Sequence, residues 1–226
     1  MKKILYINGS PRGEKGSSSP LILKDIAAYL KDEGIRKEDA KVFTIPRSIK
    51  ENTKSILETM DDADIWIIAL PLYVDVLPGH LTWWLREYQN HRMSQENRKN
   101  IRVYGIVNCG FPEAIQNADA LRVLEIFCRK SELEWRFGIG IGMGEPYKEM
   151  RAIPLRSWMK SEILASYKAL GNDIHRDEAA PDSNYFVQVK YPRFLYRLQG
   201  AFGWIIRSRR NGVSRKAMYA RPLLES

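Results

Sequence analysis

The chain has 226 residues and a mass of 26.2 kDa, with 44% hydrophobic and 28% charged residues, ordinary globular usage that excludes global disorder. No apolar run approaches the roughly 20 residues of a membrane-spanning helix, and two cysteines, Cys109 and Cys128, exclude a disulfide framework or a four-cysteine metal site built from this chain alone. The net charge of +9 raises nucleic acid as a partner, but nine basic and no acidic residues fall between Lys190 and Arg221, so the excess belongs mainly to a C-terminal segment. No zinc-finger, helix-turn-helix or RNP pattern accompanies it, and nucleic acid is not the expected partner. The apolar run from Ile4 to Ile7 is too short for a signal-peptide core, so the expected compartment is the cytoplasm.

Lys3 to Asn8 is rich in branched and aromatic residues, stops at Gly9-Ser10-Pro11, and reads as a buried strand. After a Gly/Ser-rich loop, Pro20 to Glu33 carries Leu21, Leu23, Ile26, Ala27 and Leu30 at helical spacing and ends at Gly34. Lys41 to Ile45 is a second strand and Ser48 to Met60 a polar helix. Asp64 to Leu70 is a third, very apolar strand. Pro78 to Asn90 is a helix with proline near its start. Ile101 to Asn108 is a fourth strand, Ala114 to Ser131 a long helix, Trp135 to Ile141 a fifth strand and Leu155 to Leu170 a fifth helix. Strand and helix alternate five times, the pattern of a parallel sheet covered on both faces. The expected fold is α/β, a flavodoxin-like doubly wound five-stranded parallel sheet of order 2-1-3-4-5. It should span residues 1–171. The polar stretch Asn172 to Asn184 reads as a linker, and residues 172–226 as that linker plus a basic amphipathic helical extension.

In such a sheet ligands bind at the carboxyl ends of the strands, where the strand order reverses. Three loops fall there. The first, Asn8 to Ser19, joins a strand to a helix start, with free backbone N–H groups, hydroxyls, Arg12 and Lys15, which suits a phosphate monoester. It lacks the Gly-Lys-Ser/Thr ending of a P-loop and the Gly-x-Gly-x-x-Gly pattern. The bland reading is a flexible loop with Ser19 as helix cap. The second, Pro71 to Gly79, is stiffened by prolines and offers Tyr73 as a flat face. The third, Asn108 to Glu113, contains Gly110, which lets backbone approach a planar ligand. Cys109 has no histidine motif to support it as a nucleophile and reads as a small buried thiol.

Lys3-Ile-Leu-Tyr-Ile-Asn-Gly-Ser-Pro-Arg12 with Ser17 to Ser19, then Ala69-Leu-Pro-Leu-Tyr-Val-Asp-Val-Leu-Pro78, then Val107-Asn-Cys-Gly-Phe-Pro-Glu113, resembles the NAD(P)H-dependent FMN reductase family of flavodoxin-like flavoproteins. The resemblance runs from about residue 2 to about residue 170. It implies that Ser10, Arg12, Ser17, Ser18 and Ser19 hold the FMN phosphate. It implies further that Pro71, Leu72, Tyr73 and Val74 border the ribityl chain and ring, and that Asn108, Gly110 and Phe111 flank the ring on the other side. The spacer Gly13-Glu14-Lys15-Gly16 has no strict family form, which leaves the serine register open.

The implied function is an oxidoreductase that takes hydride from NADH or NADPH and passes electrons to a flavin, quinone or other small acceptor. The flavin carries the chemistry, so no catalytic acid, base or nucleophile is required. The alternative is a flavodoxin-type electron carrier acting through protein partners; such carriers are generally acidic, and the sequence pI of about 9.5 opposes it. Scattered His80, His91 and His175 suggest no metal site. Gly138 to Gly144 alternates glycines along a strand rather than entering a helix, and reads as close packing rather than a second nucleotide site. Trp83 and Trp84 sit on the third helix beside Leu81 and Leu85, where one or both read as core; an exposed aromatic stripe there would instead suit a homodimer, or a dimer of dimers, closing the active site. From Pro192 to Arg210, Phe194, Leu198, Phe202 and Ile205 form a stripe among Arg193, Arg197, Arg207, Arg209 and Arg210. Packing on its own protein or across a dimer is the expected use of this stripe; an anionic membrane surface or an acidic partner is the alternative.

Overall fold

The structure, a computed structural model, describes residues 2–14, 16–36, 41–45, 53–144, 147, 149–176 and 183–220. The expected loop residue Lys15, the start of the expected helix at 48–52 and part of the expected linker, 177–182, lie outside the described residues. Two compact units are present, Met1–Val189 and Lys190–Ser226.

The first unit is built on a parallel sheet of β1 (Ile4–Asn8), β2 (Val42–Thr44), β3 (Ile65–Pro71), β4 (Arg102–Asn108), β5 (Glu134–Ile141) and β6 (Tyr185–Val187). Its order is β2-β1-β3-β4-β5-β6, so the reversal falls between β1 and β3 as expected. From Ile65 to Leu70, β3 is wholly buried, which is why it reads as a continuous apolar run rather than an alternating one. Helices α2 (Thr53–Asp61), α3 (Gly79–Met93) and α4 (Ala118–Lys130) share one core cluster on Trp66, Ile68 and Val103. Helix α1 (Ser19–Asp32) meets α5 (Ser161–Arg176), with Tyr29 and Tyr167 rings 6.3 Å apart.

Three readings change. The sheet has six strands rather than five: β6 pairs with β5, Tyr185 beside Ile139 and Val187 beside Ile141. Three residues are too few to show a period, and they follow a polar stretch. The fifth helix continues past Leu170 to Arg176, so the boundary drawn at residue 171 falls inside it. Gly171 does not stop that helix; a Cβ there would come within 2.9 Å of Ile35, so this glycine serves close packing. Trp84 is fully buried in the core, with Trp83 half-buried and edge-on to it at 5.3 Å. The pair is therefore not an exposed stripe, and half of the motive for an interface there is removed.

The glycine-rich fifth strand packs closely as expected. A Cβ on Gly138 would lie 2.4 Å from Leu121 of α4, and one on Gly142 only 2.6 Å from the Pro112 carbonyl.

Several carboxylates are tied down at the opposite end of the sheet from the loops. Asp61 accepts from the Tyr88 hydroxyl (2.7 Å) and Gln95 (2.9 Å), and its Oδ2 lies 2.7 Å from His91 Nε2. Burial alone would raise its pKa, but these hydrogen bonds outweigh burial and hold it below the ordinary range. Glu134, bonded to Asn100 and Arg136, and Asp64, bonded to Lys99 and the Lys3 N–H, are lowered in the same way against burial. A carboxylate depressed in the folded state contributes stability above its unfolded pKa and loses it as pH falls through the folded value. The thermal midpoint is therefore expected to hold level from neutral pH to about pH 5 and to fall steeply below about pH 4. Melts in a pH series check this, and a midpoint that rises on acidification contradicts it.

Candidate functional site

At the carboxyl ends of β1, β3 and β4 lies a cavity of about 410 Å³, within the range of cofactor sites. Its wall is formed by Ser10, Arg12, Gly16, Ser17 and Ser18 from the first loop, Pro71 to Val74 from the second, Asn108 to Gly110 from the third, and Gly144. One end is hydroxyl-rich and cationic, the other apolar and aromatic. A ligand that fits it carries an anion at one end and a flat apolar body at the other.

The first loop is held from beneath by Asn8, the last residue of β1, which is fully buried. Its Oδ1 accepts the Ser10 N–H (3.0 Å) and its Nδ2 donates to the Gly13 carbonyl (3.2 Å). Gly13 and Gly16 have φ of 63° and 82°, the left-handed region where glycine carries no Cβ penalty. Ser10 Oγ accepts the Arg12 N–H and Ser17 Oγ accepts the Ser19 N–H, both at 3.3 Å. In accepting, each hydroxyl keeps its own proton to donate. The Ser18 side chain does not cap α1; the Ser19 N–H is taken by Ser17 Oγ and Pro20 has none, so what the start of α1 offers an anion is chiefly the positive end of its dipole.

Ser18 and Ser19 are used differently. The Ser18 hydroxyl donates to the Gly144 carbonyl across the cavity mouth at 2.7 Å. Ser19 is fully buried behind the wall and donates to Asn108 Oδ1 at 3.0 Å, tying α1 to the end of β4. The segment after β5 is braced in turn: the Tyr147 N–H bonds the Gly144 carbonyl (3.3 Å) and the Tyr147 hydroxyl donates to Asp25 on α1 (2.6 Å).

The second loop closes on itself. The Tyr73 N–H bonds the Val76 carbonyl (2.9 Å) and the Val76 N–H returns to the Tyr73 carbonyl (3.1 Å), with Val74 and Asp75 at φ of 47° and 63°. A β-branched residue in that region is strained by roughly 1–2 kcal/mol. Val74 stands at the tip, 93% exposed, beside the apolar end of the cavity.

Of the twelve residues expected at the site, ten line this cavity; Ser19 and Phe111 do not. Phe111 is 53% exposed and contributes its carbonyl to the Met143 N–H (2.8 Å). Sequence reasoning missed Gly16, Cys109 and Gly144 as wall residues. The glycine just past β5 was the available signal for Gly144; nothing marks which face Cys109 turns. Burial pushes the Cys109 thiol up, so it stays protonated, in keeping with a buried thiol rather than a nucleophile.

Residues 2–85 match the model of the NADPH-dependent FMN reductase family. The match takes in the first two loops of the site, and enzymes of this family use FMN as cofactor and NAD(P)H as co-substrate. Among curated proteins, none matches the chain. Solved structures do. An NADH:FMN oxidoreductase in its apo form superposes with a TM-score of 0.55 at 12% identity, over 80% of this chain and 92% of its own. A general stress protein 14 from Treponema denticola, in complex with FMN, gives 0.53 at 16% identity, over 76% and 99%. A flavone reductase gives 0.57 at 11%, over 80% and 66%. At such identities the likeness shows the flavodoxin-like fold, here with its sixth strand.

Proposed function

We propose that the cavity holds FMN with its phosphate on Ser10, Ser17, Arg12 and the start of α1, and that the protein passes electrons from NADH or NADPH to a small acceptor. The observation that supports this most is the polarity of the cavity: proton-bearing hydroxyls and a cation at one end, Pro71, Leu72, Tyr73 and Val74 at the other. The flavin, when bound, supplies the two-electron chemistry. The chain's own residues bind and orient. Ser10 and Ser17 donate to the anion, Asn8 fixes the loop that carries them, and Ser18 holds the Gly144 segment against it. Tyr73 is 39% exposed and the loop tip at Val74 is nearly free, so the apolar end stays open to a second planar molecule. A homodimer that covers this open end, and the quinone or flavin nature of the acceptor, form part of the same proposal.

The purified protein is expected to show flavin absorption in the visible range. Under anaerobic conditions, one equivalent of NADH or NADPH bleaches it. Bound flavin that no nicotinamide bleaches would overturn the enzymatic reading in favour of an electron carrier.

A further inference from the structure

The second compact unit, Lys190–Ser226, contains α6 (Arg193–Arg210) and the short α7 (Arg215–Met218). Phe194, Leu198, Phe202, Ile205 and Ile206 recur at helical spacing along one side of α6, with Leu195 beside them. The opposite side carries Arg193, Arg197, Arg207 and Arg210, with Tyr196 and Trp204 among them. The unit cannot cover this apolar side by itself. It has fewer than forty residues, below the size at which a chain builds its own core. None of the residues of α6 is buried, and Phe194, Phe202 and Trp204 are each more than half exposed.

Charge decides between the possible occupants. The unit has nine basic residues and one acidic, Glu225, whereas the first 189 residues have 27 basic and 26 acidic. The flavodoxin-like unit is thus within one charge of neutral and gives a polycationic helix no net attraction; a second, equally basic copy of α6 repels it. An anionic bilayer complements both sides of the helix at once. Its headgroups take the arginines, its acyl boundary takes the phenylalanines and leucines, and the interface suits Trp204 and Tyr196. No helix among the described residues is long and apolar enough to cross a membrane, so the geometry is a helix lying in the plane of the surface.

We infer that α6 docks the protein on anionic lipid surfaces. The test uses the full chain and a readout independent of the flavin: co-sedimentation with phosphatidylcholine vesicles, with or without about a third phosphatidylserine. Binding is expected to the phosphatidylserine vesicles alone, and to disappear in about 0.5 M salt as the charges are screened. Arg207→Gln with Arg210→Gln should weaken it about thirtyfold, and Phe194→Ser with Phe202→Ser should abolish it. The arginine variant should keep the wild-type thermal midpoint and oligomeric mass. Equal binding to both vesicle types, or no binding to either, overturns the inference. So does a fall in midpoint or a change of mass in the arginine variant without lipid, since that would place α6 in a protein interface.

Discussion

Replacing Ser10 and Ser17 together by alanine is expected to weaken FMN binding about a hundredfold and to leave riboflavin binding within about twofold. The two ligands differ only in the phosphate. Each hydroxyl accepts a backbone N–H through its oxygen and retains a proton to donate, and both serines line the cavity. A hydrogen bond to a charged group contributes about 1.5 kcal/mol at the low end, so losing two removes about 3 kcal/mol. Ser18→Ala should behave otherwise. Its proton is committed to the Gly144 carbonyl, and the segment it releases borders the cavity, so FMN and riboflavin should weaken together, by less than tenfold. Isothermal titration of the apoprotein with both flavins checks both variants. A double variant that loses both ligands equally would move the phosphate elsewhere.

Asp173→Ala should lower folding stability by about 3–5 kcal/mol, among the largest effects expected of a single substitution here. Asp173 on α5 accepts Arg136 Nε (2.9 Å) and Nη2 (2.5 Å) from β5, and the Tyr104 hydroxyl (2.7 Å) from β4. Both charged side chains are under 10% exposed. The bond to Asp173 holds the Arg136 guanidinium charged, and burial with the adjacent carboxylate pushes the Tyr104 phenol up. Truncation leaves Arg136 Nη1 on Glu134 but takes the carboxylate away from its Nε and Nη2 and from the buried Tyr104 hydroxyl, so their desolvation is no longer fully offset. For a chain of this size the loss corresponds to about 10 °C or more in Tm. Asp173→Leu combined with Arg136→Met should recover part of it, because an apolar pair of similar volume removes the guanidinium donors that lost their acceptor. Urea unfolding of the wild type and the two variants is the measurement. A loss below about 1 kcal/mol for the single variant would show that solvent reaches the pair.

The alternation of strands and helices and the three loops at the site were legible because each is a local property. Buried parallel strands must be continuous apolar runs, crossover helices must be amphipathic, and the turns between them need glycine, proline and hydroxyl residues. The residues of the cavity wall followed from these rules together with a family resemblance in the loops. What the chain left undecided depended on partners far away along it. Whether a serine in Ser17-Ser18-Ser19 faces an anion is set by which acceptor its hydroxyl meets first, Gly144 for Ser18 and Asn108 for Ser19, 126 and 89 residues away. Phe111 turns out of the cavity wall, and Trp84 turns into the core while Trp83 stays half-buried. Composition cannot assign such orientations, because the same side chain satisfies either environment until its neighbours are placed. The sixth strand is the extreme case. Tyr185–Val187 has no periodicity of its own and becomes a strand only because β5 presents a free edge to pair with.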